Sequence, residues 1–315
     1  MSGTDGYSLH VSLDQIVELV RPGAACILTG AGISTESGIP DYRGPDRCER
    51  RTRPVTYREF VSSATARRSY WARSAIGWPW LAQRQPNVGH AVVAAIEHAG
   101  LCTGTITQNV DGLHAAAGSG RVIELHGALR SVICLACRWR ESRAGLQERI
   151  LVQNPDWMRH SGEITPDGDV DLDPQVIEPF RIPACLRCGG MIKPDIVFFG
   201  ENVPSPRVDE AFELLDRSRM LLVLGSSLTV YSGYRFVAAA LKQKKPVVII
   251  TDGPTRADAI ATIKSRSRLG VTLSSIAEAL DLSGGPVQGG PSRVTHATGS
   301  RDARQERARR GLDGR

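Results

Sequence analysis

Three runs of unbroken apolar residues, each closed by glycine, constrain this chain most. They are AACILTG (24–30), RMLLVLGSS (219–227) and KPVVIITDG (245–253). A strand with no polar face suits a parallel sheet covered by helices on both sides. Helical patterns alternate with these runs. They are SLDQIVELV (12–20), with Ser12 and Gln15 as a capping box, NVGHAVVAAIEHAG (87–100), GYRFVAAALKQ (233–243), RADAIATIKS (256–265) and SIAEALDL (275–282). TGTITQNVDGLH (103–114) reads as a strand and then a loop, and RVIELHG (121–127) as a short strand ending at His126. The expected fold is α/β, a doubly wound, Rossmann-like parallel sheet across residues 1–282.

The first glycine turn opens the stretch TGAGISTESGIPDYRG (29–44). A hydride-transferring dinucleotide fold wants G-x-G-x-x-G before a helix, then an acid about 20 residues on. Here Gly30 and Gly32 are present, but Thr35 occupies the third position and no second strand follows. The loop suits a backbone approach to a pyrophosphate without being the dehydrogenase version; a tight structural turn is the alternative.

Two Cys-x-x-Cys pairs, Cys134/Cys137 and Cys185/Cys188, supply four thiolates. That is the ligand set of a closed, structural zinc with no open position for catalysis; paired redox thiols are the alternative. The chain has seven cysteines, an odd number, which argues against a disulfide framework. Residues 134–190 break the strand–helix rhythm and are expected to form a small inserted zinc-binding domain.

Gln108, Asn109 and Asp111 follow a strand, where an open α/β sheet binds ligands. They suit ribose hydroxyls and a carboxamide, or else an Asx-capped turn. His126 is placed either as a general base or as a satisfied structural histidine; His114 is read as structural. PDGDVDLD (166–173) lacks the central glycine and distant glutamate of a calcium loop, and reads as solvated.

Net charge is +6, and residues 283–315 contribute +4 of it, with seven Arg against three acids. The basic pI of about 9.1 therefore reports a tail and argues against nucleic acid as a partner. The tail is expected to be disordered, as a solvated segment or an anion-binding arm. No apolar run reaches the ~20 residues of a membrane span, and no signal pattern opens the chain, so a cytoplasmic protein without membrane partners is expected.

Taken together, GAGISTESGIPDYRG, TQNVDGLH, ELHG, CLAC, CLRCGGMIKPDIVFFGE, LGSSLTV and GPTRADAI resemble the sirtuins, in the family's order across about residues 13–282. STESGIPDYR and RSYWARSAIGWP are most similar to the class that includes the mitochondrial lipoamidase-type sirtuin and its bacterial relatives. The resemblance implies an NAD-dependent protein-lysine deacylase acting on acylated-lysine proteins; ADP-ribosyl transfer to protein is the alternative. It implies NAD contacts from Gly30, Ala31, Gly32, Ser34, Arg43, Gln108, Asn109, Val110, Asp111, Gly225, Ser226, Ser227, Thr251, Asp252, Gly253 and Leu269. His126 would be the base, with Asn109 and Asp111 at the reacting end. Phe199–Glu201 and Leu228–Val230 would flank the peptide, and Tyr70, Trp71 and Arg73 would bear on acyl preference. Thr251 departs from the family's usual Asn and loses one hydrogen-bonding group.

Overall fold

The structure is a computed structural model that describes residues 5–42, 53–165 and 168–282 of the chain. Helix α1 (Asp5–Val20) leads into strand β1 (Ala25–Thr29). Helices α2 (Tyr57–Ser62), α3 (Ala64–Leu81) and α4 (Val88–His98) precede β2 (Cys102–Thr107), α5 (Leu113–Ala116) and β3 (Val122–Glu124). The middle of the chain holds β4 (Gly127–Cys134), β5 (Arg140–Ser142), α6 (Arg143–Gln153), α7 (Pro174–Ile177) and β6 (Ile192–Ile196). The last part runs α8 (Ser205–Asp216), β7 (Met220–Leu224), α9 (Tyr231–Lys242), β8 (Val247–Ile250), β9 (Ile263–Ser265) and α10 (Leu269–Ala279).

Six strands form one sheet in the order β3-β2-β1-β7-β8-β9. Every pairing in it is parallel. The chain winds outward from β1 to β3, then restarts at β7 beside β1 and winds the other way. That reversal opens a crevice at the carboxyl ends of β1 and β7, the place where such sheets take ligands. Both faces are covered, as the unbroken apolar runs predict. Ile27, Leu222 and Val248 pack under Ile16, Val93 and Leu273 of α1, α4 and α10. Leu28, Val223 and Ile249 pack under Leu215 of α8 and Phe236 of α9.

A second, antiparallel sheet has the order β5-β4-β6 and carries the four cysteines at its end. Its apolar cluster joins Val132, Leu146 and Ile192 to Phe60, Tyr70 and Trp71 from α2 and α3. The upstream helices thus close the core of the small sheet.

Three expectations are corrected. Helix α1 begins at Asp5, so Ser12 lies inside it and is not the cap. Leu9, Leu13, Ile16 and Val20 continue one helical spacing through that serine. RADAIATIKS is not a helix. It makes a 3-10 turn at Asp258–Ile260 and then β9, where Val248 pairs with Ile263. Asp258 accepts from the Thr255 N–H at 3.0 Å and pairs with Lys264 at 2.9 Å, which fixes the turn and brings the edge strand in. His126 is not at the end of β3, which stops at Glu124; it sits in the turn into β4. Asn87 does cap α4, accepting from Gly89 N–H at 2.9 Å. Among the described residues, no helix is long and apolar enough to cross a membrane. Residues 283–315, read from composition as disordered, and Pro166 and Asp167 of the acidic loop lie outside the described residues.

Candidate active site

Glycine shapes the crevice by letting two turns touch. Gly30 N–H donates to Leu224 O at 3.1 Å and Gly32 N–H to Gly225 O at 2.8 Å. A Cβ on Gly32 would lie 2.8 Å from Gly225 O. Gly225 has φ +62°, and a Cβ there would lie 2.5 Å from Ile33 N. Only glycine meets both demands. Beyond Gly32 the loop forms two 3-10 turns, Ala31–Ile33 and Thr35–Ser37, instead of the long helix of a hydride-transfer fold. Asn87 Nδ2 holds this loop through Ile33 O at 2.8 Å and Ser37 Oγ at 3.0 Å. Glu36 reaches across to accept from Gly270 N–H at 3.0 Å, tying the loop to the first turn of α10.

A cavity of about 570 Å³ opens above these turns. Ala31 and Ser34 line it with Gly30 and Gly32. The stretch after β2 contributes Gln108, Asn109, Val110 and Asp111, and the turn after β7 gives Gly225, Ser226 and Ser227. Thr251, Asp252 and Gly253 after β8, and Leu269 at the start of α10, complete that side. The structure therefore brings together all the expected cofactor residues except Arg43, which lies outside the described residues.

Ser34 is the hub of the polar wall. Its Oγ donates to Asp111 Oδ2 at 2.7 Å and accepts from Asn109 Nδ2 at 3.1 Å. Asp111 Oδ1 accepts from Leu113 N–H at 2.9 Å, so the carboxylate makes the Asx turn and also lines the cavity. Burial raises the Asp111 pKa, opposed by the Leu113 and Ser34 hydrogen bonds. Gln108 Nε2 donates to Ser226 Oγ at 2.7 Å, which links the stretch after β2 to the turn after β7.

His126 faces the same cavity. Its Nδ1 lies 2.9 Å from the carbonyl oxygen of Gln108. A carbonyl only accepts, so Nδ1 carries the proton and Nε2 keeps its lone pair. Nε2 lies 2.8 Å from Ser232 Oγ, whose hydroxyl donates to it. Burial lowers the His126 pKa, and Arg207 and Arg235 push the same way against the Gln108 carbonyl. The ring is therefore neutral near pH 7, with its accepting Nε2 paired to Ser232 Oγ on the cavity wall. His114 is structural, as expected: it is 2% exposed and its Nε2 lies 2.9 Å from Thr29 Oγ1. Ser232, 106 residues from His126, escaped the sequence reading because no spacing links the two.

Phe199, Gly200 and Glu201 line one lip of the cavity and Leu228–Val230 the other. Phe199 is 45% exposed and Val230 37%, so both lips present apolar surface. Glu201 is held by Lys193 at 3.0 Å and by Phe198 N–H at 2.9 Å. Tyr70 and Arg73 reach the cavity, and Arg73 pairs with Asp169 at 3.0 Å. Trp71 does not line it; it is fully buried beside Tyr70, ring centroids 5.3 Å apart.

The four cysteines converge away from this cavity. Their Sγ atoms lie within 4.8 Å of one another, with Cys134–Cys188 at 3.6 Å and Cys137–Cys185 at 3.7 Å. A tetrahedral zinc with Zn–S bonds of ~2.3 Å has sulfur–sulfur edges of about 3.8 Å. The set fits one structural zinc.

Comparison with known proteins points one way. The Sir2 family model matches residues 30–232. The NAD-dependent protein deacetylase 1 of Streptomyces coelicolor is 48% identical over 285 residues, 90% of this chain and 95% of that protein. The mitochondrial NAD-dependent protein lipoamidase sirtuin-4 of Homo sapiens is 46% identical over 252 residues, 78% of this chain and 80% of that protein. A solved complex of Sir2 with a p53 peptide and NAD+ aligns with TM-score 0.71 at 30% identity, covering 86% of this chain and 99% of that one.

Proposed function

The chain belongs to the Sir2 family, and on that premise we propose that it is an NAD-dependent protein-lysine deacylase with His126 as its base. NAD, when bound, supplies an ADP-ribosyl group to the acyl oxygen as nicotinamide leaves. With one water consumed, the products are nicotinamide, free lysine and O-acyl-ADP-ribose. The observation that carries the assignment is the 2.9 Å contact of His126 Nδ1 with Gln108 O, which assigns the proton to Nδ1; Nε2, which accepts from Ser232 Oγ here, is then the nitrogen that takes a ribose hydroxyl proton when substrate replaces that contact.

The remaining roles follow the cavity wall. Gly30, Ala31, Gly32 and Ser34 hold the loop side of NAD, with Arg43 near the phosphates. Gln108 and Asn109 hold the nicotinamide-side ribose; Val110 and Asp111 hold the carboxamide. Gly225, Ser226 and Ser227 take the adenine-side ribose and phosphates, and Thr251, Asp252, Gly253 and Leu269 the adenosine. The substrate peptide adds as a strand between Phe199–Glu201 and Leu228–Val230, a mode in which backbone bonds give affinity and side-chain pockets give choice. A cytoplasmic location is part of the same reading and is supported by the bacterial deacetylase relative.

The test is a panel of peptides carrying acetyl-, longer acyl- or lipoyl-lysine, assayed for nicotinamide release and for O-acyl-ADP-ribose by mass spectrometry. His126→Ala should lower turnover by roughly 10²-fold or more, the scale of losing a general base, with an unchanged circular dichroism spectrum. Near wild-type turnover in that variant removes His126 from the mechanism. ADP-ribosyl-protein without O-acyl-ADP-ribose would favour ADP-ribosyl transfer instead.

A further inference from the structure

Arg235 of α9 lines the cavity beside the peptide lip, Arg207 of α8 stands with it around His126, and Arg256 lies against Tyr234 of the same helix as Arg235. Tyr231 follows Val230 directly, so the first turns of α9 flank one end of the proposed peptide bed. Arg235 lines the cavity, and its guanidinium lies 5.5 Å from the ring centre of Tyr231. Its Nε is buried without a hydrogen-bond partner. Arg256 lies 4.1 Å from the ring centre of Tyr234, and its N–H donates to Ser227 O at 3.0 Å. Arg207, from the first turn of α8, reaches Leu125 O at 3.4 Å, just before His126. Among the described residues, none of the three has a carboxylate within ion-pair distance, whereas Arg73, Arg130, Arg140 and Arg149 each do. The cavity's acids on the peptide side are already engaged: Glu201 by Lys193 and Asp169 by Arg73.

Arg235 lines the cavity with no acid beside it among the described residues, and a carboxylate is the acceptor that best matches a guanidinium fork. Cation–π contact with Tyr231 and Tyr234 restricts the Arg235 and Arg256 side chains and lowers the entropy lost on pairing.

We propose that Arg235, with Arg256 and Arg207 supporting the local field, selects substrates that carry an acidic side chain within a few residues of the acyl-lysine. The inference rests on the deacylase reading and names the substrate class of that same site. An extended peptide advances about 3.3 Å per residue, so positions two and three lie roughly 7–10 Å along the bed from the acyl-lysine and are the ones to vary.

The experiment uses the full chain and acetyl-lysine peptides that differ only in Glu or Gln at positions two and three on either side of the lysine. The expected result is a roughly two- to fivefold higher kcat/KM for the best-placed Glu peptide over its Gln twin, about what a partly exposed ion pair supplies. The gain should lie in KM and should fade as ionic strength rises from about 0.05 to 0.5 M. In Arg235→Gln the Glu-to-Gln ratio should fall to about one. The ratio is the readout, so a general loss of activity in the variant does not enter it. Should Arg235→Gln fail to fold, Arg256→Gln and the salt dependence of the wild-type ratio decide. Equal kcat/KM for Glu and Gln peptides in the wild type overturns the inference. So does a ratio that survives in Arg235→Gln, or a variant whose defect is confined to the KM for NAD. Turnover of the Gln peptides reports separately on the deacylase reading: if no peptide releases nicotinamide, that reading fails, and peptide affinity by fluorescence anisotropy still decides the charge preference.

Discussion

The two sheets of this protein are held together in different ways. In the six-stranded sheet, β1, β7 and β8 are buried at every position. Each buried aliphatic side chain there contributes on the order of 1.5–3 kcal/mol. In the three-stranded sheet, β5 has three residues, two of them exposed, and β6 contains Pro194. β4 has eight residues, but its partners have only three and five, so the sheet needs packing on its apolar face to be stable. Four thiolates within 4.8 Å, and the side chains that α2 and α3 lend, make up the difference. Stability is spread over many contacts in one region and concentrated at a point in the other.

The same substitution should therefore act very differently in the two. Cys134→Ala should lose the zinc and unfold or aggregate the small sheet, because metal binding and local folding share one free energy, about 10–16 kcal/mol in zinc-finger peptides. Cys26→Ala removes an equally buried sulfur from β1, where burial pushes the thiol pKa up to about 12 and makes it inert. That variant should cost about 1–2 kcal/mol and keep one zinc per chain. Metal analysis and thermal unfolding of both check the contrast; soluble, active Cys134→Ala protein without zinc would erase it.

Acid should separate the regions next. His90 and His114 pack against each other beneath the crevice, ring centres 4.9 Å apart. Burial lowers the His90 pKa to about 3, helped by His114, and burial lowers that of His114 to about 4. Both folded values lie below the unfolded 6.5, so the unfolded chain binds more protons on the acid side. Their contribution is intact above pH 6.5 and is lost as pH falls towards the folded values, by up to about 1.4 kcal/mol per unit for each ring. Urea midpoints from pH 7.5 to 5, with zinc content followed in parallel, should show stability falling below 6.5 while zinc is still bound. His114→Gln should flatten that slope. A wild-type midpoint that stays level across the range would refute the assignment.

Legibility followed the same division. The apolar runs announced β1, β7 and β8 because burial on both faces leaves no polar residue to mislead. Strand β9 was hidden: Ala257, Ile260, Ala261 and Lys264 share a helical spacing, and only the Thr255–Asp258 turn shows why the chain extends instead. Helix α3 carries Gly77 and Pro79, poor helix signals. Gly77 is there because a Cβ would lie 2.5 Å from Gly168 O, a contact between segments far apart in sequence. At the site, the glycine turns, the stretch after β2 and His126 could be found as motifs. Ser232 against His126, Glu36 on α10 and Arg235 on the lip could not, since each depends on which loops the winding brings together.

The smallest expected effect tests how far the crevice relies on backbone rather than side chains. Thr251 follows β8, lines the cavity and is 9% exposed. Its N–H donates to Ser265 O at 3.1 Å, so the edge strand β9 fixes its position. Members of the family usually carry Asn there, which offers both an acceptor and a donor to a ribose; threonine offers one hydroxyl. Around it the wall is built largely from turns, Gly225 and Gly253 among them, which position a ligand through main chain. If main chain dominates, Thr251→Asn restores only one net hydrogen bond, about 0.5–1 kcal/mol, and lowers the KM for NAD by roughly two- to fivefold. The kcat should not move, because the adenosine end gains equally in ground and transition states. Initial rates with NAD varied at saturating peptide make the measurement. A change in kcat would show that position 251 reaches the reacting end, and a gain of 30-fold or more would show that side chains, not turns, carry cofactor affinity in this crevice.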